Sequence, residues 1–146
     1  MTGLDWPGAL KDIQAIKEHF ESQKKKVCVM GFCMGGALSL ASLSAISGWH
    51  SGAVFYGIPD LNIFRLDKIK CKVIAHFGIN DPLKGFSDVE SARKLSKDAK
   101  ANNYPINVRI WDGVSHAFCN QDSRYFNSET RDKAFDMTRK LFEEGI

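Results

Sequence analysis

The sequence predicts an α/β fold, a three-layer α/β/α sandwich around a parallel sheet of about four strands. Three observations predict it. Short apolar runs alternate along the chain with longer segments of helical period. One predicted strand-to-helix junction, Gly31-Phe32-Cys33-Met34-Gly35-Gly36, sets glycines around a nucleophile. Cys33, Asp81 and His116 each fall just past a predicted strand, and ligand sites of parallel sheets lie beyond the carboxyl ends of their strands.

The elements follow in order. After a short lead from Thr2, Asp5 can cap a helix with Trp6 and Pro7 in its first turn, where proline is tolerated. Leu10, Ile13, Ile16, Lys17 and Phe20 lie at helical spacing and give an amphipathic helix over 7–22. Beyond Lys24-Lys25-Lys26, the apolar run Val27-Cys28-Val29-Met30 reads as a buried strand over 26–31. Small and apolar residues then read as a packed helix over 34–47, stopped by Gly48. Residues 52–57 form a second strand, and 60–69 are irregular with room for one helical turn. Residues 72–78 form a third strand, with Asp81-Pro82 as a turn signal beyond it. Ser87 or Asp88 caps a helix running to Asn102. Residues 106–111 alternate as a fourth strand, 112–118 form a loop, and Ser128 caps a last helix to Glu144.

Composition narrows the function classes. Residues 1–146 read as a single domain, long enough to bury a core. The net charge is only +3 and the one basic run, Lys24 to Lys26, reads as a solvated loop, so no nucleic-acid partner is expected. No apolar run approaches the ~18 residues of a membrane span. Cys28, Cys33, Cys71 and Cys119 lack zinc-type spacing, and with no secretory signal they read as reduced thiols of a cytoplasmic protein. Neither metal nor cofactor is implied. His76 lies within the third strand and reads as a core or helix-facing histidine.

The junction at Cys33 carries the chemistry. Gly31 and Gly35 keep bulk away where strand and helix backbones nearly touch, and Gly36 removes a further side chain. Cys33 is then held in a strained conformation above the sheet edge. The N–H of Met34 points into the same space and can serve as an oxyanion donor. A phosphate-binding loop is the competing reading, but Gly36 is followed by Ala37 and Leu38 rather than Lys and Ser or Thr. His116 can take the proton of Cys33, and Asp81 can orient the imidazole, in the chain order nucleophile, acid, histidine. Phe32, Tyr56 and Phe118 flank the site and can wall an apolar substrate pocket, at least one of them serving as core filler.

Gly31-Phe32-Cys33-Met34-Gly35-Gly36, Gly78-Ile79-Asn80-Asp81 and Ser115-His116-Ala117-Phe118 resemble the three signature segments of the dienelactone hydrolase family. Leu4-Asp5-Trp6, Val54-Phe55-Tyr56-Gly57 and the stretch 120–131 extend the resemblance over nearly the whole chain. It implies a partial α/β-hydrolase fold, a Cys-Asp-His triad and a carboxymethylenebutenolidase-like hydrolase of a small ester or lactone, working through a thioester acyl-enzyme. The family fold carries about four further strands before the first helix of this chain. They supply a second oxyanion donor and a glutamate, so the sequence looks like the C-terminal part of such an enzyme. Where the family places an arginine for the substrate carboxylate, Cys119-Asn120 stand, with Arg124 further on. Two other readings accompany the hydrolase: a catalytically weak module acting in binding, and a redox-active Cys33. Without a preceding neighbour, strand 26–30 is expected at the sheet edge, where it can pair with a second copy of the chain.

Overall fold

A computed structural model describes residues 3–144; Thr2, in the expected lead, lies outside them. The first helix, α1 (Trp6–Ser22), opens at Asp5, whose carboxylate accepts the Gly8 N–H at 3.0 Å, with Pro7 in the first turn. Strand β1 (Cys28–Phe32) leads into α2 (Met34–Ala45), and β2 (Ser51–Phe55) follows. A short 3₁₀ turn, Leu66–Lys68, interrupts the irregular segment before β3 (Lys72–Gly78). Then come α3 (Val89–Ala101), β4 (Ile106–Trp111) and α4 (Ser128–Glu143).

The four strands are parallel and lie in the order β1-β2-β3-β4. Gly31 stands opposite Val54, Val54 opposite Ala75, and Ala75 opposite Val108. Successive side chains of a strand face opposite ways, and the two faces build two cores. Val54, Val73, Ala75 and Phe77 pack with Leu40 and Leu43 of α2 and Leu95 of α3. Ala53, Phe55 and Ile74 pack with Phe118 and with Ala134 of α4. The layers are therefore α2 and α3, the sheet, and α4, with Ile13 of α1 packed on the first core.

Helix α2 is buried on most sides, so its serines bond to the helix itself: the Ser39 hydroxyl donates to Gly35 C=O and that of Ser42 to Ser39 C=O. On α1, Lys17 is buried in spite of its charge. Its ammonium pairs with Glu21 and lies 5.4 Å from the centre of the Trp49 ring.

Three expectations need correction. Helix α2 ends at Ala45, not near Gly48, because Ile46 is already extended while its N–H closes on Ser42 C=O; Gly48 serves the following turn with a φ of 84°. Asn127, not Ser128, caps α4, its side-chain oxygen accepting the Thr130 N–H at 2.9 Å. Strand β1 is an edge strand but not a buried one: Met30 is 46% and Phe32 36% exposed.

His76 lies at the centre of β3 with no exposed surface. Trp111 Nε1–H donates to its Nδ1 at 3.2 Å, so in the neutral ring Nε2 carries the hydrogen and faces Thr138 Oγ1 of α4, also at 3.2 Å. Burial, with Arg109 as a smaller cause, pushes its pKa down to about 3. The unfolded chain therefore binds a proton that the folded chain refuses. This contribution to stability is complete above pH ~6.5 and is lost as pH falls towards about 3, by at most about 1.4 kcal/mol per pH unit. Urea midpoints measured from pH 7 to 4 should fall accordingly, and His76→Gln should flatten that slope.

Candidate active site

The site forms where three strand ends meet. The first is the junction of β1 and α2. Cys33 has a φ of 55°, a region that residues with a side chain seldom adopt. Its N–H is tied to Phe55 C=O at 3.0 Å, and its C=O accepts the Ala37 N–H at 3.1 Å. Glycines permit the crowding. A Cβ on Gly31 would lie 2.0 Å from the Gly35 carbonyl oxygen, one on Gly36 2.4 Å from the Phe55 oxygen, and one on Gly57 2.1 Å from the Cys33 oxygen. Gly35 does not need to be glycine for its own sake, since a Cβ there would meet nothing within 4 Å. Gly57 shares the duty in its place, a role not visible in the sequence. Met34 begins α2, so its N–H is among those with no partner inside the helix.

The second and third strand ends are locked together. Gly78 ends β3 so close to the next loop that a Cβ would lie 2.6 Å from the Val114 oxygen. Asn80 N–H donates to Val114 C=O at 3.0 Å, and the Ser115 hydroxyl donates to Asn80 C=O at 3.1 Å. These bonds fix Asp81 against His116. The Asp81 side chain has no exposed surface; one oxygen accepts the Leu83 N–H at 3.0 Å and the other lies 2.8 Å from His116 Nδ1. Across the ring, His116 Nε2 lies 3.2 Å from Cys33 Sγ. Cys33, His116 and Asp81 thus form one hydrogen-bonded line, and a carboxylate on Nδ1 holds the tautomer that leaves Nε2 free to accept a proton.

Ser87 is a neighbour that sequence reasoning missed. It is fully buried, with Oγ 3.2 Å from His116 Nδ1. In the sequence it carried only a helix-cap signal, and Asp88 fills that place, its carboxylate accepting from Gly85 N–H and the Ser91 hydroxyl.

The three aromatic residues divide. Phe118 has no exposed surface and packs in the α4-side core, so it is not a pocket wall. Tyr56 is 2% exposed, and its ring lies edge-on to His116 with centres 5.0 Å apart. Burial pushes the Tyr56 phenol above its ordinary value and the Cys119 thiol up to about 12. The Tyr56 ring thus stands against the imidazole, and Phe118 packs edge-on to Tyr56 with ring centres 5.4 Å apart. Phe32 is partly exposed at the sheet edge and stacks on Phe55, with ring centres 4.6 Å apart. Among the described residues no cluster of His, Cys, Asp and Glu could hold a metal ion, and no helix is long and apolar enough to cross a membrane.

The sequence model of the dienelactone hydrolase family matches residues 3–145. A "Putative carboxymethylenebutenolidase" of Saccharolobus solfataricus is 33% identical over 90% of this chain and 50% of its own. "Protein usf" of Aquifex pyrophilus is 27% identical over 92% of this chain and 58% of its own. The chain spans about half the length of the curated relatives it matches. Among solved structures, a "Putative Dienelactone Hydrolase" from Klebsiella pneumoniae superposes with a TM-score of 0.79 at 14% identity, covering 92% of this chain and 60% of that one. This last likeness is one of fold.

Two predictions follow from the geometry. Gly31→Ala should destabilise the fold by about 1–3 kcal/mol or more through overpacking. Gly35→Ala, with open space at its Cβ, should be neutral or gain up to about 1 kcal/mol from helix propensity; urea denaturation of the pair compares them. Iodoacetamide should alkylate Cys33 first, since it alone faces an imidazole nitrogen, while burial raises the thiols of Cys71 and Cys119. Mass mapping of partly labelled protein should show His116→Ala slowing Cys33 and leaving the other three unchanged.

Proposed function

The chain belongs to the dienelactone hydrolase family, and we propose that it hydrolyses ester or lactone bonds through Cys33, His116 and Asp81. The observation that carries this reading is the bridging imidazole, 3.2 Å from Cys33 Sγ on one side and 2.8 Å from the Asp81 carboxylate on the other.

The steps use those contacts. His116 Nε2 takes the thiol proton while Cys33 Sγ bonds to the substrate carbonyl carbon. The carbonyl oxygen becomes an oxyanion and is met by the Met34 N–H at the start of α2. Asp81 stabilises the imidazolium and keeps its orientation, remaining ionised itself. Collapse breaks the carbon–oxygen bond, and the alcohol leaves with the proton from Nε2. Water then gives a proton to Nε2 and adds to the thioester; the carbon–sulfur bond breaks, releasing the acid and restoring Cys33. In a lactone the departing alcohol and the acid are one molecule.

A p-nitrophenyl acetate assay tests the reading. Cys33→Ser should lower kcat/KM at least ~100-fold, and Asp81→Asn, which leaves the ring in the wrong tautomer, by on the order of 10³ to 10⁴. Mass spectrometry of the quenched reaction should find an acetyl group on Cys33. Unchanged turnover in Cys33→Ala, which offers no nucleophile, would remove Cys33 from the reaction.

A further inference from the structure

Helix α1, the segment after β2 and the loop before α3 together enclose a groove of about 1380 Å³. Clefts for small ligands span roughly 300–1,000 Å³, so this one has room for far more than an acetyl group. Its walls are largely apolar. Trp6 and Phe64, with ring centres 5.3 Å apart, line it together with Phe86, Leu83 and the buried Ile58 and Leu95.

The charges along it balance, Lys84 and Lys94 against Asp60 and Asp98, and among the described residues no arginine lines it. Nothing in that arrangement favours an anionic substrate over a neutral one. The groove runs up to the neighbours of the reaction site. Met34, which follows Cys33 in the chain, lines it, and the Phe86 ring lies 6.5 Å from the ring of His116.

We infer that this groove receives the apolar acyl chain of a neutral ester, a substrate class that rests on the hydrolase reading above. The acyl carbon stays bonded to Cys33 through both chemical steps, whereas the alcohol departs after the first. A wall that begins at Met34 holds the portion that stays. Each methylene buried along the groove strengthens binding by about fourfold.

Binding and turnover test this separately. Octanamide and acetamide, both neutral, are titrated into the Cys33→Ser protein and followed by Trp fluorescence. Octanamide should shift the emission at a midpoint at least ~10-fold below that of acetamide, and Trp6→Phe should abolish the shift. In turnover, p-nitrophenyl octanoate should exceed the acetate by roughly 10-fold or more in kcat/KM. Ile63 lines the groove and is 69% exposed, so Ile63→Asp spares the core. It should bring that ratio close to one, and Ile63→Leu should restore it. Absence of octanamide binding overturns the groove whatever the turnover. A preference for octyl acetate over ethyl acetate, with none for octanoate over acetate, overturns the acyl assignment. Octanamide binding in a protein that turns over no ester keeps the groove as a site for apolar chains and removes the hydrolase reading.

Discussion

The candidate site depends on one steric constraint, the near-contact of three backbone segments around Cys33. β1, the first turn of α2 and the exit from β2 approach so closely that Gly31, Gly36 and Gly57 have no room for a methyl group. Cys33 takes up the remaining mismatch in a conformation with positive φ. Such strain persists only where the surroundings over-determine it. Here two backbone hydrogen bonds, to Phe55 and from Ala37, hold the residue on either side. The thiol is thus set by backbone packing, and a side-chain rearrangement elsewhere has little leverage on it.

The acid and the imidazole are held by a different device. The loops after β3 and β4 are stitched to each other by Asn80, Val114 and Ser115, which holds Asp81 beside His116. Tyr56 joins the two halves. It follows β2 directly, its N–H bonds to His76 C=O of β3, and its ring lies edge-on to His116. Below them His76 occupies the sheet as a neutral residue bridging Trp111 and Thr138, which fastens α4 to the strands. Two histidines one strand apart therefore have opposite duties, one excluded from protonation by burial and one facing a carboxylate.

Much of the fold was legible in the sequence because it rests on local signals. Apolar runs mark β3 and β4 with the bounds found in the structure, and Asp5 marks the start of α1. The trio Cys33, Asp81 and His116 was legible because a parallel sheet sends all its carboxyl ends to one edge. What escaped is what depends on contacts distant in the chain. Gly57 looks like a strand terminus until Cys33 is seen against it. Ser87 looks like a cap until the loop after β4 brings His116 beside it. Tyr56 and Phe118 flank the motifs in sequence, yet their side chains turn inward, and only packing reveals that. The end of α2 was misread because Gly48 is a persuasive stop signal, whereas the chain leaves the helix earlier to bring β2 alongside β1.

The sheet order β1-β2-β3-β4 repeats the order of the chain, and this bears on how the protein is made. Each strand from β2 onward lies beside the one synthesised just before it, so a sheet of this order can grow in step with the ribosome. The chemistry cannot. Cys33 and His116 are 83 residues apart, an interval of several seconds at ~5–20 residues per second. During that interval the thiol has no imidazole beside it to take its proton. A nascent chain that has not reached residue 116 carries the nucleophile but not the base, and its reactivity stays latent until the last strand and its loop are in place.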